Sequence, residues 1–63
     1  MTIKKELEIR LDIVNSQIEI YKKNAIKEIE KDEIIPATGD LLMLRDLKEQ
    51  QGLIKNLLET EEE

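Results

Sequence analysis

The chain has no cysteine, histidine, phenylalanine or tryptophan, and each absence closes off a class of function. Without cysteine no disulfide can staple a small fold, a composition at home in a reducing cytoplasm. Thiolate and imidazole ligands are both missing, which removes the usual zinc sites and the Glu-x-x-His metal centres of helical bundles. Ser16 has no imidazole anywhere in the chain to activate it as a nucleophile. Two glycines, Gly39 and Gly52, are too few for a Gly-rich phosphate loop, and the ligand spacing of an EF-hand does not occur. Carboxylate pairs are frequent, but a chain that is 40% charged produces them without any acid–base site. The expectation is a non-catalytic protein with no metal and no cofactor.

Long apolar runs are missing as well. No stretch approaches the roughly 18 consecutive apolar residues of a membrane span. In the N-terminal "MTIKKELEIR", charges interrupt every short apolar run where a signal peptide needs an unbroken one. The chain is therefore expected to be cytoplasmic and to avoid membranes. Fifteen acidic residues against ten basic ones give a net charge of −5, which repels a phosphate backbone. Tyr21, the sole aromatic residue, offers almost nothing for base stacking. Nucleic acid is a disfavoured partner.

A domain of 63 residues buries only about 60% of the surface its unfolded chain exposes. With disulfides and metals removed, oligomerisation is the remaining route to stability.

What is present is helical patterning. Residues 3–33 contain neither glycine nor proline, and Ile3, Leu7, Leu11, Val14, Ile18, Tyr21, Ala25 and Ile29 follow one another at spacings of three and four. That is the stripe of a helix packed on a neighbouring helix. The segment "IIPATGD", residues 34–40, holds the only proline, and Pro36 discourages Ile35 from helical dihedrals. The pattern predicts helix 1 over 2–33, a turn over 34–38 and helix 2 over 39–59. Thr38 or Asp40 would cap helix 2. Met43, Leu44, Leu47, Ile54, Leu57 and Leu58 share one face of helix 2 with Gln50 and Gln51 among them. Gly52 falls on the opposite face. It could break the helix, but the stripe keeps register across it, so one continuous helix is expected. The acidic tail, residues 60–63, opposes the helix dipole and is expected to fray.

A short connection between two amphipathic helices makes an antiparallel hairpin. Counting outward from the turn sets Ala25 and Ile29 opposite Met43 and Leu44, Tyr21 opposite Leu47, Ile18 opposite Gln50 and Gln51, Val14 opposite Ile54, and Leu11 opposite Leu57 and Leu58. Helix 1 should then outreach helix 2 by about two turns, carrying Ile3 and Leu7 beyond it. Gln50, at a core position, reads either as a register device, with the Tyr21 hydroxyl as a candidate partner, or as a residue at the stripe's edge with its amide in water.

Leu7 to Val14, "LEIRLDIV", alternates apolar and polar like a strand. In the helical reading Ile9 and Ile13, with Ile20 further on, project opposite the main stripe, so the alternation serves two faces of one helix. A hairpin covers one face only. Ile9, Ile13 and Ile20, with the overhanging Ile3 and Leu7, are therefore the candidate interface, either for a second copy, giving a four-helix bundle, or for a different protein docking on the outer face of helix 1. Leu11, Val14, Ile18, Tyr21, Leu47, Gln50, Ile54 and Leu57 are the candidate core. Lys23, Lys27 and Lys31 continue the outer face at spacing four. They could meet an acidic partner or a phosphate, but interleaved acids dilute the field and a Glu19–Lys23 pair would fit, so a solvated face is the simpler reading.

The alternative from another functional class takes residues 7–13 as a strand, giving the outline of a ribbon-helix-helix repressor whose paired strands read DNA. The outward set Glu6, Glu8, Arg10 and Asp12 is net acidic where such strands are basic, and the helical stripe would lose Leu7 and Leu11. The two-helix layout is similar in outline to small RNA-binding helical hairpins that dimerise into four-helix bundles. No motif carries over, and architecture alone does not assign function.

Overall fold

A computed structural model describes residues 2–61. Two helices, α1 (Ile3–Glu30) and α2 (Ile34–Glu61), form a hairpin measuring 47 × 16 × 11 Å. Residues 7–13 lie inside α1, and among the described residues there is no strand, so the paired ribbon required by the repressor reading is not formed. The alternation there is that of a helix with apolar residues on two faces.

Thr2 starts α1. Its backbone is extended (φ −81°, ψ 158°) and its Oγ1 accepts from the Lys5 N–H at 3.1 Å, which satisfies one of the donors a helix N-terminus leaves free. Glu6 adds negative charge to the first turn.

The turn differs from expectation. α1 stops at Glu30, three residues early, and the chain reverses through residues 31–33. The Glu33 N–H donates to the Glu28 carbonyl at 2.8 Å and the Asp32 N–H to the Ile29 carbonyl at 3.1 Å, the paired bonds of a Schellman ending. Such an ending needs a left-handed residue, and Asp32 supplies it at φ 61°, which Asp tolerates better than most side chains. Pro36, expected to hold helix 2 off until Gly39, instead lies within the first turn of α2. The Glu33 carbonyl accepts the first helical bond, from Ala37 N–H at 3.2 Å. Residues 34–36 thus have no helical acceptor in any case, and the missing proline N–H costs nothing there. Neither Thr38 nor Asp40 is the cap. Thr38 Oγ1 donates to the Ile34 carbonyl at 2.8 Å, and Asp40 lies within the helix, half-buried.

α2 runs unbroken through Gly52 and takes in Thr60 and Glu61; residues 62 and 63 of the acidic tail lie outside the described residues. Both helices therefore have 28 residues, about 42 Å at 1.5 Å per residue. The expected two-turn overhang of helix 1 does not arise. Leu7, placed in that overhang, is half-buried against the core.

Val14, Ile18, Leu47 and Ile54 form the core cluster, with Leu7, Leu11, Tyr21, Leu44 and Leu58 packed around it and Ala25 and Ala37 buried nearer the turn. Apart from Asn15, the buried and half-buried positions among the described residues are 7, 11, 14, 18, 21, 25, 28 on α1 and 37, 40, 44, 47, 51, 54, 58 on α2. Each series alternates steps of four and three, the heptad spacing of a coiled-coil seam. The alternation corrects four positions. Leu57 is 53% exposed and Leu58 occupies the seam. Gln50 is exposed and Gln51 takes its place. Ile29 is half outside at 50% exposure while Glu28 turns inward, and Met43 lies on the surface.

Candidate interaction face

The hairpin buries one stripe of each helix and leaves much apolar surface uncovered. Ile3, Ile9, Ile13 and Ile20 on α1 are all exposed, and so are Met43, Leu53 and Leu57 on α2. No large side chain among the described residues is fully enclosed. An exposed set of this size exceeds the scattered apolar residues of an ordinary surface.

Part of this set lines a shallow groove of about 700 Å³ over the open end of the hairpin. Ile9 and Ile13 come from the outer row of α1, Leu7 and Val14 form its floor next to the seam, and Gln50 closes it from α2. Glu6 and Arg10 supply both signs of charge at its wall, with Gln17 alongside. Of the residues expected at an interface, the structure brings Ile3, Leu7, Ile9 and Ile13 together here. Ile20 is 57% exposed further along α1 and does not line the groove.

Two polar layers cross the seam. In one, Gln51 Nε2 donates to Asn15 Oδ1 at 2.7 Å, half-buried. This bond fills the role considered for Gln50, and its partner is Asn15 rather than Tyr21. Asn15 sits just beside the seam, so an apolar count passes over it. Lying next to two apolar layers, such an amide pair penalises a slipped register.

The other layer lies by the turn, where Glu28 and Asp40 occupy seam positions and Glu33 stands close by. Glu28 Oε1 is enclosed and accepts no hydrogen bond. The Glu28 carboxyl titrates near 7, raised first by its hydrogen bond with Asp40, then by burial, then by the negative charges of Asp40 and Glu33. An ionised carboxylate cannot donate to another, so the oxygen is unpartnered when both acids are charged and bonded when one carries a proton. Asn24, Lys27 and Lys31 line, with these acids, a shallow depression of about 430 Å³ that is open to solvent. Among the described residues no three acidic groups gather in a way that would hold a metal ion.

Lys23, Lys27 and Lys31 are solvent-exposed. Glu19 and Lys23 do not form the expected pair; an ion pair does form between adjacent Arg45 and Asp46, at 3.7 Å and exposed, where such contacts contribute little. Among the described residues no helix is long and apolar enough to cross a membrane. Comparison with protein-family models, with curated proteins and with solved structures gives no match for this chain.

Proposed function

We propose that the chain is a small self-associating helical hairpin, a non-catalytic protein–protein interaction or regulatory module of the cytoplasm, with a homodimer as its basic form. The observation that carries this reading is the second apolar row of α1. Ile9, Ile13 and Ile20 are 42%, 53% and 57% exposed, while the seam that should stabilise the fold supplies about one residue per layer from each helix. Covering that row supplies burial that two helices alone lack, at roughly 25 cal/mol per Å² of apolar surface. The absence of cysteine suits a reducing compartment.

Sedimentation equilibrium at tens of micromolar tests the proposal. A dimer mass is expected, and Ile13→Asp should lower it while the far-UV circular dichroism stays helical. A wild-type chain that remains monomeric throughout would remove self-association from the reading. The Ile row would then have to serve a different protein, sought by pull-down from the native cell.

A further inference from the structure

We infer that the second copy is met by one flat side of the hairpin, built from both helices, rather than by the outer row of α1 alone. This rests on the self-association proposed above and names the surface that performs it. The groove decides which side of α2 is involved. Gln50 lines it together with Ile9 and Ile13, so the side of α2 that carries Gln50 adjoins the outer row of α1. Met43 and Leu57 lie one heptad before and after Gln50, so both fall on the same line of the helix. Both are exposed, at 42% and 53%. On this side Met43 and Leu57 flank Gln50 beside Ile9 and Ile13, whereas the corresponding line on the other side of the α2 seam has exposed Ile34 and Leu41 near the turn and then exposed Lys48 and Lys55.

The dimensions match those of a two-fold interface. A face of 47 by 16 Å is roughly 750 Å² in projection, close to the ~800 Å² that each partner buries in a standard interface. The chain exposes 5024 Å² for a mass of 7.4 kDa, where a compact monomer of that mass would expose about 4,200 Å². The excess is about one such interface. Charge also suits a second copy. Glu6 and Arg10, one turn apart at the groove, present both signs, which two-fold symmetry can bring to each other. A partner of one strong charge would meet repulsion from one of them.

The test is sedimentation equilibrium on wild type, Ile13→Asp, Leu57→Asp and Leu41→Asp, with helicity followed by circular dichroism. Wild type is expected to be dimeric at tens of micromolar. Ile13→Asp and Leu57→Asp should each weaken the dimer by at least about tenfold. Leu41→Asp, at an exposed position of α2 on the Lys48 side of the seam, should leave it unchanged. If Leu57→Asp loses its helix, Met43→Asp supplies the same reading from the same line. Should the α2 variants stay as dimeric as wild type while Ile13→Asp dissociates, α1 alone makes the contact and this inference falls, though self-association stands. Dissociation by Leu41→Asp would overturn it too, by moving the contact to the other side. A monomeric wild type would end both.

Discussion

The open half of the seam and the turn half differ in how each accommodates a polar layer. In the open half Gln51 donates to Asn15, a pair complete at any pH because neither amide titrates. In the turn half Glu28 faces Asp40 with an enclosed oxygen and no donor, a pair complete only when a proton is shared. Seam position alone therefore does not tell whether a polar residue strengthens a helix pair. What matters is whether donor and acceptor numbers balance across the layer.

The largest expected effect breaks both halves at once. Ile18→Asp places a charge at a position only 7% exposed, between the two polar layers, and should abolish the helical signal in circular dichroism, because an unpaired buried charge costs several kcal/mol. A smaller break touches the open half alone. Gln51→Leu leaves Asn15 without its partner and should cost about 1–3 kcal/mol in urea unfolding. The double change Asn15→Leu with Gln51→Leu should recover most of that loss. If the single change costs nothing, the amide layer does not hold the register. The open half can also be strengthened. Gly52 is exposed within α2, and a Cβ there would meet nothing within 4 Å, so Gly52→Ala should add about 1 kcal/mol.

The smallest effect separates the halves by pH. Folding raises Glu28 from about 4.5 to about 7, so between those values the folded chain holds more protons than the unfolded one. Stability should be fullest below pH 4.5 and should fall as pH rises through about 7. The slope will be shallow, since water screens the pair. Thermal melts from pH 5 to pH 8 should show the decline in wild type and lose most of it in Glu28→Gln. A melting temperature that rises with pH over this range would contradict the carboxyl pairing.

Much of this architecture is legible in the residues, for reasons that also explain the exceptions. Leu7, Leu11, Val14 and Ile18 announce the seam of α1 because their spacing and hydrophobicity agree. The turn half escapes because there the two signals part. Hydrophobicity favours Ile29, while the alternation of four and three leads to Glu28, and on α2 to Asp40 and Ala37. Pro36 misleads for a related reason. Proline both ends helices and is welcome in their first turn, and the residue that resolves the ambiguity is Asp32, four positions earlier, with its tolerance for positive φ. Gln50 and Gln51 are neighbours on the chain but 100° apart on a helix, and the alternation of four and three through Leu47 and Ile54 selects Gln51 for the seam. Ile9, Ile13 and Ile20 were legible as exposed because nothing in a two-helix fold can reach them.

The tight reversal at residues 31–33 also bears on how fast the chain folds. Seam layers close in order of the loop each must fix, and that of Glu28 and Asp40 spans only about a dozen residues, against about fifty for Leu7 and Leu58. By loop-closure entropy the turn layer forms at an advantage of roughly 1.3 kcal/mol. Zippering from the turn therefore begins with the Glu28–Asp40 layer, which is favoured when one of the two acids is protonated. Chevron plots of the Ile13→Asp chain at pH 5.5 and pH 8 should then differ mainly in the folding arm, so that acidity acts on the rate at which this hairpin closes more than on the rate at which it opens.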